Sequence, residues 1–175
     1  MTAEGQVLAA LPGTPAPAVT ALHSRYGRWN GEITVEGPGN RVFPAMLRLA
    51  GLPPSMTSEP LAFETETAGV REVWTRYLGG TVMRSYQWRK GEDRVAERLG
   101  PITVVSTPHI EGDGTVRLDP VAWRMLGLPL LPALAPRIET RESGEDDLYR
   151  FDVRIGWPVT GGTILRYHGF LNVTS

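Results

Sequence analysis

The sequence predicts a mainly β fold: an antiparallel β-barrel or a strongly curved sheet of about eight to ten strands with one or two short helices. Apolar and polar residues alternate with period two over most of the chain, which is typical of strands with one buried face. Most connections between these stretches are short and contain glycine, which favours antiparallel hairpins. The 20 glycines and 15 prolines among 175 residues also favour many short elements over long helices.

Residues 1–20 precede the alternating pattern. Pro12, Pro15 and Pro17 lie there among alanine, threonine and glycine residues, so this stretch is predicted to be a flexible, dispensable lead. Residues 21–175 are predicted to form a single β-barrel-like domain, because the chain is too short for two ordinary domains.

The predicted strands follow one another closely along the chain. Gly79-Gly80 and Gly100-Pro101 are two of the turns that separate them. The stretches with the strand pattern are Ile33–Val35, Leu61–Thr65, Val70–Leu78, Thr81–Trp88, Arg94–Leu99, Ile102–Thr107, Thr115–Leu118, Tyr149–Ile155 and Thr163–Val173.

Two segments depart from the strand pattern. Asn40–Ala50 has helical apolar spacing and is followed by Gly51, so a helix is predicted there. Asp119–Gly127 is predicted to be a short helix, because Pro120 suits the first helical position. The next segment, Leu128–Pro136, is apolar but contains three prolines, so it cannot be a central strand. We expect it to cross the sheet or to cover a barrel mouth.

Composition excludes several function classes. The chain has no cysteine, which excludes disulfides, thiolate nucleophiles and cysteine-ligated metals. Its net charge of -1 gives no basic field for nucleic acid. No signal peptide and no apolar run of about 20 residues is visible, so a cytoplasmic protein without a membrane span is expected.

The sequence predicts neither a metal site nor a cofactor. His23, His109 and His168 lack the spacing of metal ligands. A nucleophile elbow is missing, and the glycines do not fit a phosphate-binding loop or a dinucleotide fingerprint.

Charged residues share faces with apolar ones on three consecutive predicted strands. Alternation places Arg76, Arg84 and Glu97 toward the same interior. One interpretation is a buried ion-pair network that fixes the strand register. The other is a polar floor in an apolar pocket, where an arginine holds a ligand oxygen and Glu97 acts as acid or base.

Further candidates come from the last strand and from the tryptophans. Tyr167 is expected inside with Leu165 and Leu171, whereas His168 is expected on the surface. Trp123 neighbours the proline-rich segment and is a candidate for a pocket rim. The predicted substrate-binding residues are Trp74, Ser85, Trp88, Trp123 and Glu142.

Several motifs, in order, resemble a known family. They are Leu22-His23 with Gly31, Gly51-Leu52-Pro53, Trp74-x-Arg76, Ser85, Glu97-Arg98-x-Gly100-Pro101, Trp123-Arg124, Gly127-Leu128-Pro129-Leu130, Glu142, Phe151-Asp152-Val153 and Tyr167-His168-Gly169-Phe170-Leu171. This series resembles domain of unknown function 4166, a bacterial domain often fused behind a saccharopine-dehydrogenase-like or other short-chain reductase; here a stand-alone version is expected. Phe170 replaces the usual tryptophan, and Glu36-Gly37 replaces the usual Arg-Gly.

The resemblance implies the domain boundaries and marks Arg76, Ser85, Glu97 and Glu142 as motif positions, but it implies no reaction. The residues themselves favour a cofactor-independent cyclase or isomerase that templates a lipid-like or polyketide-like substrate. Arg76 and Arg84 would hold a ligand oxygen, Glu97 would be the acid or base, and Tyr167 would donate a hydrogen bond.

Two alternatives to this enzyme stay open. One is a non-catalytic ligand-binding or accessory domain that partners a reductase, and the other is a structural domain with a filled core. The expected ligand is an apolar small molecule, and a homodimer or a complex with a separate reductase is compatible with the sequence.

Overall fold

A computed structural model describes residues 1–37, 53–157 and 162–174. The predicted helix Asn40–Ala50 lies outside these residues. Within these ranges the helices are α1 (Ala3–Leu8) and α2 (Pro17–Ser24), and a short 3-10 helix spans Pro132–Leu134. The strands are β1 (Gly27–Glu36), β2 (Met56–Ala68), β3 (Arg71–Leu78), β4 (Thr81–Arg89), β5 (Val95–Leu99), β6 (Ile102–Ile110), β7 (Val116–Met125), β8 (Leu128–Pro129), β9 (Arg137–Glu145), β10 (Leu148–Gly156) and β11 (Thr163–Asn172).

The strands form a closed antiparallel barrel, which confirms the predicted fold class. The first six strands pair in sequence, β6 continues to β7, and β7 continues through β9, β10 and β11 back to β1. The result is a 10-strand barrel, to which β8 adds one extra strand beside β7. Gly79 and Gly80 form the tight β3–β4 turn with φ values of 47° and 83°, a region that favours glycine.

The predicted helix over Asp119–Gly127 is wrong, because this segment is the second half of β7. It pairs with β6 as far as Ile102 and Met125. A register shift between Val105 and Ser106 places an irregularity opposite Pro120. Such an irregularity accommodates a proline, which has no N–H for the ladder, so Pro120 marks a bulge here and not a first helical turn.

The sequence predicts that the segment Leu128–Pro136 crosses the sheet or covers a barrel mouth. It contains β8 and the 3-10 helix, but the side chains of Leu128, Leu131 and Leu134 are exposed. The side chains of these leucines therefore do not cover the sheet.

The expected flexible lead is instead largely helical and packed. Val7 and Leu8 of α1 and Val19 of α2 are buried. The Thr2 hydroxyl caps α1 by accepting a hydrogen bond of 3.0 Å from the Gly5 backbone. Helix α1 contacts β4, β5 and β6, and α2 contacts β9 and β10. Both helices therefore belong to the domain, and we expect the lead to be required for stability.

The buried apolar side chains of α1, α2 and the strands pack into one hydrophobic core. Its largest buried side chains are Trp29, Leu22, Ile33, Leu78, Leu165 and Leu171. Within the described ranges, no helix is long and apolar enough to span a membrane.

Candidate functional site

A cavity of about 80 Å³ lies inside the barrel. Its apolar wall consists of Ile33, Leu61, Phe63, Leu118, Phe151, Val153 and Leu171, and its polar lining of Arg76, Gln87, Glu97, Thr140, Glu142, Tyr149 and Tyr167. Ligand-binding pockets usually enclose about 300–1,000 Å³. The cavity is therefore large enough for a few heavy atoms, such as one end of a larger molecule.

Arg76, Ser85 and Glu97, which we name the arginine group, form the first polar cluster of this cavity. Arg76 Nη1 donates a 3.0 Å hydrogen bond to Ser85 Oγ, and Arg76 Nη2 lies 3.5 Å from Glu97 Oε1. The guanidinium carbon lies 5.3 Å from the centre of the Phe63 ring and 5.7 Å from that of Trp74. Aromatic faces and a hydroxyl thus hold the Arg76 cation in place. The Arg76 side chain is 14% exposed and that of Glu97 37%, so the group has access to solvent.

Glu4, His23 and Glu142, with Thr2 behind them, form a second cluster, which we name the histidine group. His23 Nε2 lies 2.9 Å from Glu142 Oε2 and 3.9 Å from Glu4 Oε1. His23 Nδ1 lies 3.1 Å from Thr2 Oγ1 on the other side of the ring. Helices α1 and α2 supply Glu4 and His23, and β9 supplies Glu142, whose side chain also lines the cavity.

Burial controls the charges of the histidine group. Burial, followed by the Glu142 charge, raises the pKa of Glu4 to about 8. Burial alone lowers the pKa of His23, but the charges of Glu4 and Glu142 and the hydrogen bond to Glu142 raise it to about 9. The protonation of His23 and that of Glu4 therefore depend on each other.

Two tyrosines of the cavity remain neutral phenols. Burial, the Glu142 charge and a hydrogen bond to Glu142 raise the pKa of Tyr149 well above its usual range. Burial raises the pKa of Tyr167 to about 12. Both hydroxyls can therefore donate hydrogen bonds at neutral pH.

Two buried glutamates differ in how their oxygens are satisfied. Glu72 accepts hydrogen bonds from the Ala3 backbone, from Tyr26 at 3.0 Å and from Trp74 at 3.2 Å. Glu4 is fully buried, and neither of its carboxylate oxygens has a hydrogen-bond partner among the described residues. Of these two glutamates, only Glu4, in the histidine group, has carboxyl oxygens without a hydrogen-bond partner among the described residues; we call it the orphan carboxyl.

The structure brings together six of the nine predicted site residues, although their chemical roles stay predictions. Arg76, Glu97, Glu142 and Tyr167 line the cavity. Ser85 and Trp74 are buried against Arg76.

The inward placement of Arg84 and Trp88 is wrong. Met83, Ser85 and Gln87 are the buried residues of β4, so alternation turns Arg84 outward, where it donates a 3.4 Å hydrogen bond to Thr75. Trp88 lies on the outer face under the Arg71 guanidinium, at 4.8 Å. On the outer face of β4, the rings of Tyr86 and Trp88 lie under arginine side chains. Apolar residues therefore alternate on this outer face as they would on a buried one.

Trp123 is half-buried on β7 and pairs with Val104. It is not one of the described residues that line the cavity.

Sequence reasoning missed Glu4, His23, Gln87 and Tyr149. Gln87 shares the alternation of Ser85 and could have been found from it. His23 and Glu142 are separated by 119 positions, and Glu4 lies in the expected flexible lead, so no local pattern connects them.

A larger concavity, of about 460 Å³, lies on the outer face of β1, β9, β10 and β11. Its arginines are already engaged by carboxylates: Arg141 by Glu111, Arg150 by Glu145 and Arg166 by Asp152. Because this concavity is an open surface, whereas the barrel cavity brings buried polar groups together, we place the candidate site inside the barrel.

A family model described as Domain of unknown function (DUF4166) matches residues 16–171. The chain belongs to the DUF4166 family. In this DUF4166 domain the arginine group, His23 and Glu142 lie within the matched residues, whereas Glu4 precedes them. No curated protein matches the chain.

A solved structure similar to the DUF4166 domain is a protein of unknown function from the DUF3598 family of Nostoc punctiforme. The two share 16% sequence identity with a TM-score of 0.48. The match covers 92% of this chain and 52% of that one, so the chain spans about half the length of this relative.

Proposed function

We propose that the barrel interior binds the oxygen-bearing end of an apolar small molecule and catalyses a cofactor-independent isomerisation or cyclisation. The arginine group at the cavity carries this proposal. Arg76 uses one guanidinium nitrogen for Ser85 and another for a loose contact with Glu97, which leaves N–H groups for a ligand oxygen.

The proposed chemistry needs few groups. Arg76 would stabilise negative charge that develops on the ligand oxygen, because a preorganised donor in a partly dry cavity is effective there. Glu97, 3.5 Å from Arg76, would accept and return a proton, and the Tyr167 hydroxyl would donate a further hydrogen bond. The aromatic wall, which includes Phe63 and Phe151, would contact the carbon skeleton.

The cavity volume restricts the substrate class. With about 80 Å³, the interior admits one end of a lipid-like or polyketide-like molecule and not its whole length. The rest of such a molecule would extend from the cavity. A cytoplasmic location is part of this proposal.

The second candidate is a non-catalytic ligand-binding domain, in which an accessory role beside a separate reductase is included. The ion pair between Arg76 and Glu97 favours it, because a carboxylate that only neutralises an arginine has no need to transfer a proton. Both candidates require a ligand at Arg76, and they differ in what Glu97 does.

Native mass spectrometry of the freshly purified protein tests ligand binding. We expect an adduct whose dissociated component is an apolar compound with a carbonyl or carboxylate oxygen. Arg76→Gln should lose the adduct. Arg84→Gln is the matched control, because it removes the same charge from the outer face of the neighbouring strand, and it should keep the adduct.

The two candidates are separated by incubating the recovered ligand, and synthetic analogues of it, with the protein and following products by chromatography and mass spectrometry. An enzyme should lose turnover in Glu97→Gln while keeping the adduct. Equal conversion by the wild type and Glu97→Gln contradicts the catalytic role. Equal adducts in Arg76→Gln and the wild type contradict both candidates.

A further inference from the structure

Three potential metal ligands meet in the histidine group. One atom each from Glu4, His23 and Glu142 lies within 4.8 Å of the other two. Bonds of about 2.0–2.2 Å place the ligand atoms of a tetrahedral zinc ion roughly 3.3–3.6 Å apart. The distances from His23 Nε2, 2.9 Å to Glu142 and 3.9 Å to Glu4, fall on either side of that spacing. The Glu4 and Glu142 ligand atoms lie at most 4.8 Å apart, and side-chain shifts that close this separation to the tetrahedral spacing would complete the geometry.

The orphan carboxyl of Glu4 is an independent observation that indicates a ligand. Its two oxygens are completely buried and have no hydrogen-bond partner among the described residues. Leaving a buried polar group unpaired is costly, so such a group usually has a reason in function or in a bound ion. Glu72, buried nearby, has three donors and no such deficit.

The hydrogen bonds around His23 leave its ring nitrogen Nε2 available to bind a metal ion. When the Thr2 hydroxyl donates to the His23 carbonyl oxygen, at 3.2 Å, it accepts a hydrogen bond from the ring nitrogen Nδ1, at 3.1 Å. In that arrangement Nδ1 carries a hydrogen, and in the neutral ring Nε2 has the lone pair. This orientation by an outer partner is usual for metal-binding histidines. The Nε2 atom is also the one that points toward Glu4 and Glu142.

We propose that Glu4, His23 and Glu142 bind a divalent transition-metal ion of the Zn²⁺ type, with a fourth coordination position toward the barrel cavity. One imidazole nitrogen and two carboxylate oxygens are ligands that zinc accepts. The two carboxylates balance the charge of the ion inside the barrel. Glu142 also lines the cavity, which gives the ion an entry side and room for a water ligand.

This inference goes beyond the proposed function and does not rest on it. The ion would bind whether or not Arg76 holds a ligand. Because Glu4 precedes the residues that the family model matches, the site would depend on a segment outside that match.

The test uses the full chain, stripped with a chelator and exchanged into metal-free buffer. Titration with Zn²⁺, followed by gel filtration and elemental analysis, should show a single ion per chain and a raised melting temperature. Co²⁺ should replace it and produce the strong visible absorption bands of tetrahedral coordination.

Variants locate the ion. Glu4→Gln should weaken Zn²⁺ binding by at least about 100-fold, since loss of an outer-sphere partner alone costs 10–100-fold. His168→Gln is the matched control, because it removes a surface histidine that also lies near a carboxylate, Glu36 at 3.2 Å. Its Zn²⁺ affinity should equal that of the wild type, and so should that of Arg76→Gln.

Two results would overturn the site. One is wild-type protein that takes up no Zn²⁺ and gives no tetrahedral Co²⁺ spectrum. The other is a folded Glu4→Gln variant, verified by circular dichroism, that binds Zn²⁺ as tightly as the wild type. If Glu4→Gln does not fold, the Co²⁺ spectrum of the wild type decides alone. Loss of the ligand adduct in Arg76→Gln with Zn²⁺ binding intact separates this site from the proposed function.

Discussion

The arginine group and the histidine group both reach the barrel cavity, the second only through Glu142, but they are built in different ways. The arginine group comes from the neighbouring strands β3, β4 and β5, and it has access to solvent. The histidine group combines two helices with β9, and His23 and Glu4 are fully buried. Strand alternation alone can position the first group, whereas the second forms only when α1 and α2 pack onto the barrel.

The difference in burial predicts a difference in stability. A partly exposed ion pair such as Arg76 with Glu97 contributes little, because water and salt screen it. A buried pair that loses one partner leaves an uncompensated charge, which is strongly unfavourable. The histidine group should therefore affect folding, and the arginine group should affect ligand binding.

The largest loss of stability is expected when the histidine group loses its Glu142 carboxylate, and the matching change in the arginine group removes Glu97. Glu142→Ala should destabilise the metal-free protein by about 3–5 kcal/mol, because buried His23 then loses its hydrogen-bonded carboxylate. Glu97→Ala, on the exposed side of the cavity, should cost less than about 1 kcal/mol. Urea unfolding of both variants in a chelator-containing buffer measures this. Equal losses would refute the distinction between the two groups.

The contact between α1 and α2 gives the next largest effect. A Cβ atom at Gly5 would collide with the carbonyl oxygen of His23, so Gly5→Ala must displace one helix from the other. We expect a loss of about 1–3 kcal/mol, as for overpacking elsewhere. Gly112→Ala is the control, since a Cβ there meets nothing within 4 Å. The two melting temperatures provide the comparison, and a wild-type value for Gly5→Ala would show that this helix contact contributes little to stability.

The two groups also show what the sequence can and cannot predict. Alternation is a local property, so it predicts the barrel and the inward placement of Arg76 and Glu97. It failed for Arg84 and Trp88, because arginines lie over aromatic rings on the outer face, as Arg71 does over Trp88. An apolar ring therefore does not identify the inner face of this barrel.

No local sequence pattern predicts the histidine group. Its members lie in α1, α2 and β9, and only the helix packing brings them together. Prolines also misled in two places: those of the lead precede or begin a packed helix, and Pro120 lies at a strand irregularity instead of a helix start. The same residue type marks different structures when its tertiary partners differ.

A smaller effect is expected within the arginine group itself. Ser85→Ala removes the 3.0 Å hydrogen bond to Arg76 and should cost about 0.5–1.5 kcal/mol, the usual net contribution of one hydrogen bond. Denaturant unfolding measures the loss. If Ser85 positions Arg76, the variant should also bind the recovered ligand more weakly than wild type. A stability loss without weaker ligand binding would assign Ser85 to the scaffold alone.

The smallest loss of stability is expected from an ion pair on the outer face. Its contribution to the free energy of unfolding is a reference for the contributions of the two inner groups. Asp152 accepts hydrogen bonds from Arg166 Nε at 3.0 Å and Nη2 at 2.9 Å. These bonds lower the pKa of Asp152 from its usual value of 3.8. Because the folded pKa is the lower one, the stabilisation is present above about pH 4 and disappears as the pH falls through the lowered pKa.

Asp152→Asn should therefore cost about 0.2–1 kcal/mol at pH 7 and low salt, since the pair is screened by solvent. The difference in the free energy of unfolding between the variant and the wild type, measured with urea, should become smaller at pH 3 and at high salt. A gap unchanged by pH and salt would mean that Asp152 acts through packing and not through charge. The geometry of this outer pair is better than that of Arg76 with Glu97, so a small value here would show that burial, more than hydrogen-bond geometry, decides which polar contacts stabilise this barrel.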